Sequence, residues 1–425
     1  MASSEDGSVE KPINREPDAG KLTESFLTPS ESRSCPQPIA YDRNHGPVQH
    51  LDAKAYRLNV RSDPSLTCSD IIPGPIDVVF SIDDIASKFT QTSITAALQC
   101  AGNRRHEMRE RVAEVQGIDW GDGAVMNAIW GGVPLREVLL SAGIKAPASS
   151  LPATEEIYQG LHVQFASAQE TQDDTYYGAS VPLSTALDPE RQCLLATHMN
   201  GEPLTAKHGY PLRVIVPGII GARSVKWLDS IVVSAEESKN HYQQRDYKVL
   251  SGEMAERIEA ARDEEEKGRI KEEAEPLMDN PINSVVAVPG QDGDVLPRDD
   301  QRRVYVRGYA IPQGKDGPVV RVEVSIDRGE TWHEASILDE GDENTAFSSM
   351  IGKNRESPQR GRFAWVLWEC RVPVDGGLPH EDISIWSKAT DKGGNTMDVE
   401  RSEGEWNLRG VGYNAVEGRR GIKIE

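Results

Sequence analysis

The sequence predicts an α+β chain in which a mixed domain, about residues 35–250, precedes an all-β sandwich, residues 276–425. Three observations carry this. Up to Tyr247, short apolar runs alternate with segments of helical periodicity. From Pro276 onward, short runs alternate apolar and polar residues with a period of two. Between them, Gly252–Glu275 is dense in charge and thin in apolar residues, which marks a boundary. At 425 residues the chain is long enough for two such cores.

The elements follow in order. Residues 1–34 are polar, with Pro, Ser and mixed charge, and are expected to form a mobile acidic tail. Ile94–Gly102 and Pro211–Ala222 read as buried strands or strand-to-loop transitions. In Val133–Gly143, Leu135, Val138 and Leu139 fall at helical spacing and Gly143 supplies the stop. Residues 251–275 read as a charged helical linker, with acid-to-base pairs four apart at Glu253/Arg257, Asp263/Lys267 and Glu265/Arg269. In the last part, Val320, Val322, Val324 and Ile326 are expected on one face of a strand. Asp327-Arg328-Gly329 then turns the chain towards Trp332. Phe363, Trp365 and Leu367, and then Ile383, Ile385 and Ser387, continue the alternation.

Composition narrows the function. With 47 Lys+Arg against 68 Asp+Glu, the formal net charge is −21. That field opposes binding to nucleic acid or an anionic membrane surface, so neither is expected as a partner, and an anionic substrate needs a local basic pocket. The most apolar stretch, Val214–Ala222, is interrupted by Pro217, Gly218 and Gly221 and is far shorter than the ~20 residues of a membrane span. Five scattered cysteines (Cys35, Cys68, Cys100, Cys193, Cys370) form no CxxC pair, fitting a reducing compartment better than a disulfide framework or a zinc site. The acidic first residues resemble no export or organelle signal, and GIKIE is no peroxisomal address, so a cytoplasmic location is expected.

Three clusters can carry chemistry. In LQCAGNRRHEM, Cys100 precedes Arg104, Arg105 and His106, a positive setting that favours a thiolate as nucleophile or metal ligand. A lone cysteine is more often a small buried apolar residue, but two adjacent arginines imply an anion nearby. DRNHGPV places Arg43 and His45 in a loop, which alone is a weak signal. Met199–Leu228 sets Lys207, His208, Arg213, Arg223 and Lys226 among glycines and prolines, suiting a phosphate or another polyoxyanion. Neither a phosphate-binding P-loop nor a dinucleotide fingerprint is present, and basic side chains snorkelling at a surface are the bland alternative.

Taken together, RNHGPV, LQCAGNRR, MNGEPL, HGYPLRVIVPGIIGARSVKWL, RDYK and WNLRGV resemble the eukaryotic sulfite oxidase family of molybdopterin oxidoreductases, over about nine-tenths of the chain. The resemblance implies a molybdopterin domain followed by an immunoglobulin-like sandwich through which two chains form a homodimer. It implies that Cys100 is the thiolate ligand of molybdenum, a soft ligand suited to this metal. Arg43, Asn44, His45, His208, Arg213, Ser224, Val225 and Lys226 would hold the pterin and its phosphate, while Arg43, Arg105, Trp120, Tyr247 and Arg409 would surround the substrate oxyanion. Gln169 stands where the family often has an Asp touching the pterin.

The implied activity is oxidation of sulfite to sulfate by oxygen-atom transfer, with electrons passing to an external acceptor, either oxygen or a separate haem protein. No His-Pro-Gly-Gly haem signature occurs, so no haem is expected in this chain. By family, a mitochondrial location also fits. Two alternatives stand beside this reading. One is a nitrate reductase-like enzyme, against which RDYK and WNLRG, with Tyr247 and Arg409, weigh. The other is a metal-free β-sandwich binding module, against which Cys100 and the full basic set weigh.

Overall fold

The structure is a computed structural model that describes residues 11–30, 39–64, 66, 71–145, 158–338 and 361–425. Cys35 and Cys68 lie outside the described residues; Cys100, Cys193 and Cys370 are buried and free of disulfides. Among the described residues no helix is long and apolar enough to cross a membrane.

Two sheets build the first part. One orders the strands Asp77–Ser81, Arg57–Ser62, Leu228–Ser234, His162–Ser167 and Gly178–Pro182, with only the second and third parallel. The other orders Glu202–Pro203, Leu194–Met199, Val125–Pro134 and Thr92–Gln99, and Arg213–Ile215 also pairs with Leu194–Met199. Local chemistry explains the ends of these elements. Ser81 and Asp84 exchange hydrogen bonds as a capping box, starting the helix Ile82–Lys88. The helix Leu135–Ser141 buries Leu135, Val138 and Leu139, as their spacing predicts, and Gly143 takes the positive φ that a helix stop favours.

The second part is two sheets around one apolar core. Asn283–Val288, Arg303–Ile311, Val366–Pro373 and Ser336–Ile337 face Val295–Leu296, Glu417–Ile424, His380–Asp391, Val319–Ser325 and His333–Glu334. Val306, Trp368 and Val372 from one sheet meet Val322, Val324, Ile385 and Ile422 from the other. The turn at Asp327–Gly329 forms as predicted, with Arg328 and Gly329 at positive φ and the Asp327 carboxylate accepting from the Thr331 N–H at 2.9 Å.

The structure corrects four expectations. Val320 is 52% exposed, because a bulge between Val319 and Arg321 shifts the register and turns Val319 inward instead. Phe363, Trp365 and Leu367 do not serve the sandwich core. Val366, Trp368 and Cys370 do, while Trp365 and Leu367 pack with Leu22 and Val125 of the first part. Both faces of this strand are therefore covered.

The supposed mobile tail is ordered over residues 11–30. Asn14–Arg15 pairs antiparallel with Asp42–Arg43, Leu22 is fully buried, and the Phe26 carbonyl accepts from the Trp365 indole at 2.9 Å. The charged run is not one helix but two short ones, Gly252–Ala260 and Glu264–Glu272. They are closed by Ile258 and Ile270 against Leu250, and Arg257 pairs across them with Glu273 at 2.8 Å instead of with Glu253.

A buried ion network joins the two parts. Arg104 sits at φ +65° and is fully buried; its guanidinium donates twice to Glu107, at 2.9 and 2.6 Å, and also to the Asn283 side chain and the Ala415 carbonyl of the second part. Arg419 returns from the sandwich to both Glu107 and Asp122. Burial raises the Glu107 pKa against the pull of Arg104, whereas Arg419 helps hold Asp122 below the usual carboxylate range. Replacing one partner leaves an uncompensated buried charge, so Arg419→Met is expected to cost about 3–5 kcal/mol. Denaturant or thermal unfolding checks this; an unchanged midpoint would remove the network from the account of stability.

Candidate active site

The turn after strand Thr92–Gln99 sets the site. Cys100 leaves the strand with its N–H on the Ala124 carbonyl at 2.9 Å, and Asn103 closes the turn onto the Cys100 carbonyl at 3.0 Å. The next two arginines part company. Arg104 points into the network between the two parts. Arg105 stays with the site, donating to the carbonyls of Arg409 at 2.9 Å and Ile118 at 2.7 Å. Of the two guanidinium groups that suggested an anion, one already has its carboxylate in Glu107 and serves the fold.

Cys100 opens into a cavity of about 620 Å³, open solvent at its mouth included. Arg43, Asn44, His45, His208, Arg213, Ser224, Lys226 and Tyr247 line it with Cys100, so nine of the predicted residues converge. They come from distant parts of the chain. Arg43 ends the short strand Asp42–Arg43; His208 closes a 3-10 turn; Arg213 opens the strand Arg213–Ile215; Tyr247 follows the single π-helical turn Tyr242–Asp246. Gly209, at φ +104°, lets the chain bend beside Lys226, where an added Cβ would meet the lysine Cβ at 3.0 Å.

The remaining predicted residues lie differently. Val225 is core: its carbonyl accepts from the Val214 N–H at 3.0 Å. Trp120 packs in the same apolar cluster as Cys100, Leu98 and Met126. Arg409 stands beside Arg105 and forms an ion pair with Asp246 instead of presenting a bare charge. Gln169 does line the cavity, but its amide N–H groups hold the carbonyls of Gly46 at 3.0 Å and Pro47 at 2.8 Å. Sequence reasoning missed Tyr41, Tyr177 and Trp227 on the wall, because a single aromatic residue carries no signal of a cavity.

The electrostatics of this wall are one-sided. Among the described residues, no Asp or Glu lines the cavity. Burial pulls the Lys226 ammonium and the His208 imidazole well towards their neutral forms and lowers Arg213 to about 10, and neighbouring cations push Lys226 and His208 further. Arg213 gives its two outer nitrogens to the carbonyls of His208 and Ser224, both at 3.0 Å, while its buried Nε has no partner. Lys226 donates to Asn44 Oδ1 and to the Lys207 carbonyl.

On the other wall, the Tyr247 hydroxyl meets His45 Nε2 at 2.6 Å. Burial raises this phenol to about 12, and burial beside Arg43 and Lys226 keeps His45 neutral. Cys100 lies close enough to act on Arg43, Arg105 and Tyr247, which places the thiol among them.

Such a cavity accepts a polyanion at its basic end and a metal at its thiol. Among the described residues no group of three or more His, Cys, Asp or Glu could hold a metal, so a metal on Cys100 needs further donors from a cofactor. The unpartnered Arg213 Nε and the carboxylate-free wall fit a phosphate-bearing pterin whose sulfurs supply those donors.

The comparisons agree with this chemistry. Residues 45–242 match the family described as oxidoreductase molybdopterin binding domain, and residues 274–416 the Mo-co oxidoreductase dimerisation domain. The chain is 37% identical over 407 residues to the mitochondrial sulfite oxidase of Homo sapiens, covering 96% of this chain and 63% of that protein. The chain thus spans less than two thirds of that relative's length. Against the sulfite oxidase of Arabidopsis thaliana it is 36% identical, covering 95% of this chain and 90% of the relative. In fold it resembles the crystal structure of the sulfane dehydrogenase SoxCD from Paracoccus pantotrophus, with a TM-score of 0.63 at 23% identity, over 94% of this chain and 84% of that one. With a matching molybdopterin domain, a matching dimerisation domain and this degree of identity along almost its whole length, the chain belongs to the sulfite oxidase family of molybdopterin oxidoreductases.

Proposed function

We propose that this protein oxidises sulfite to sulfate with a molybdenum–molybdopterin cofactor held in the Cys100 cavity, and passes the electrons to an external acceptor, oxygen or a separate haem protein. The observation that carries the reading is a thiol at the head of a buried cavity lined by cations and by no carboxylate. When bound, the cofactor supplies oxygen-atom transfer and takes up the two electrons.

The chain does the rest. Cys100 is the protein's ligand to the metal, and Asn44, His208, Arg213, Ser224 and Lys226 hold the pterin and its phosphate. Their unbalanced charge is neutralised by that anion, so the cofactor stabilises the wall that binds it. Arg43 and Arg105 present fixed donors to the oxyanion in a site shielded from water, where such donors act more strongly than in solvent. Trp120, packed with Leu98 and Met126, keeps water from the thiol. The Tyr247 phenol, still protonated at neutral pH, donates near the reacting centre, and neutral His45 holds its oxygen in place. Arg409 adds charge from the second part of the chain, balanced by Asp246. We further read residues 276–425 as an immunoglobulin-like sandwich that pairs two chains into a homodimer, supported by the dimerisation-domain match.

Steady-state assays with sulfite and with nitrate, using oxygen and ferricyanide in turn as acceptors for sulfite, test the reaction. Turnover of nitrate without turnover of sulfite would overturn the substrate. Cys100→Ser is expected to stay folded and lose sulfite turnover; retained activity would remove the thiolate from the mechanism. For Arg409→Met, the Michaelis constant for sulfite should rise ~10–100-fold, the scale of a lost charge-assisted hydrogen bond. Sedimentation at micromolar concentration should give a dimer, and a monomer there would refute the pairing.

A further inference from the structure

The segment just before the short helix Ala19–Leu22 runs across the cofactor wall. Its main chain pairs with the strand that carries Arg43, Asn14 opposite Arg43 and Arg15 opposite Asp42. Through one oxygen, Asn14 Oδ1 accepts from Arg43 Nη1 at 3.1 Å and from the Asn44 N–H at 3.2 Å. The Asn44 amide answers by donating to the Ile13 carbonyl at 3.0 Å, and its oxygen receives Lys226 Nζ. Both ends of the Asn44 side chain are therefore set, one by the segment and one by a cation of the cavity. Two residues on, the Glu16 carboxylate accepts from the N–H groups of Gly121 at 2.8 Å and Gly123 at 2.6 Å, just after Trp120. Gly123 lies so close that an added Cβ would stand 2.0 Å from the Pro17 carbonyl oxygen.

From this geometry we infer that Asn14 is a positioning residue for the cofactor site, holding Arg43 and Asn44, and through Asn44 also Lys226, in the arrangement that receives the anion. The inference rests on the reading of the cavity as a molybdopterin site. Arg43 and Lys226 repel one another in this wall; the Asn44 carbonyl accepts from Arg43 Nη1 at 2.6 Å, and without a second fixed acceptor the guanidinium would swing about that one contact and have to be reordered when the cofactor binds. Asn14 supplies that acceptor from outside the cavity. Its side chain is exposed, so replacing it opens no void, and Arg15 on Asp42 and Glu16 on the glycine turn keep the segment docked without it.

The test follows cofactor loss from purified holoprotein. Wild type, Asn14→Ala and Asn14→Asp are diluted and gel-filtered over time, with molybdenum measured by elemental analysis and pterin by its fluorescence after oxidation. Asn14→Ala should lose both ~3–10-fold faster than wild type, the scale of one net hydrogen bond at an exposed position. Its thermal midpoint without cofactor should match that of wild type. Asn14→Asp, which keeps an acceptor at the same place, should hold the cofactor as wild type does. Equal retention by Asn14→Ala and wild type overturns the inference, and so does loss from Asn14→Asp as fast as from Asn14→Ala. Wild-type protein without molybdenum from a host that makes the cofactor would instead overturn the reading of the cavity, and the inference with it.

Discussion

Arg104 carries a full charge with no contact with solvent, and a charge in that position is tolerated only where carboxylates and carbonyls enclose it. Glu107 from the helix Arg105–Arg111 that follows it, and Asn283 and Ala415 from the sandwich, provide the enclosure. Because Arg104 lies four residues after Cys100, satisfying it fixes the turn that presents the thiol and ties that turn to the second part of the chain. The left-handed backbone at Arg104 is a local cost that a non-glycine residue bears only when its side chain is held this firmly. Arg105 and Arg409 meet along the same seam, so the pocket and the junction between the two parts form together.

The cavity beside that turn obeys the opposite rule. Arg104 and Arg419 are matched by Glu107 and Asp122, whereas Arg213, Lys226 and His208 face one another with carbonyls and amides but no carboxylate on the wall. The contrast separates charge that serves the fold from charge that awaits a ligand. Burial lowers the proton affinity of Lys226 and Arg213, and a bound polyanion would restore it. The Asn14–Arg15 segment covers this wall on the outside, which is why residues that look like tail in composition are ordered.

Much of the architecture was legible in the sequence because period and composition change where the fold changes. The helical spacing of Leu135, Val138 and Leu139, the strand leading to Cys100 and the turn at Asp327–Gly329 all form as read. The failures have physical causes. A bulge between Val319 and Arg321 turned Val320 outward, while Val322 and Val324 beyond it keep the inward face that their period predicts. Trp365 and Leu367 were assigned to the wrong core because a strand covered on both faces shows no polar side. Residues 11–30 hold few apolar residues, and their order comes from Leu22 and Phe26 packing against Val125 and Trp365 and from hydrogen bonds to residues far away in the chain. The two helices at 252–272 are joined by the Arg257–Glu273 ion pair, which pairing by local spacing does not anticipate.

For the site, the sequence alone determined the inventory: a thiol beside two arginines, a basic glycine-rich stretch, and motifs specific enough to identify the family. Which arginine is locked into the junction between the two parts and which stays beside Cys100 was beyond it, because Arg104 and Arg105 are neighbours of the same type. Only the tertiary structure separated them, by bringing Glu107, Asn283 and Arg419 to one and the carbonyls of Ile118 and Arg409 to the other. It likewise showed Arg409 balanced by Asp246, Val225 in the core, and Tyr177 and Trp227 on the cavity wall. Residue type states what a side chain can do; which charges and carbonyls surround it is settled by contacts across more than a hundred positions, which no local pattern encodes.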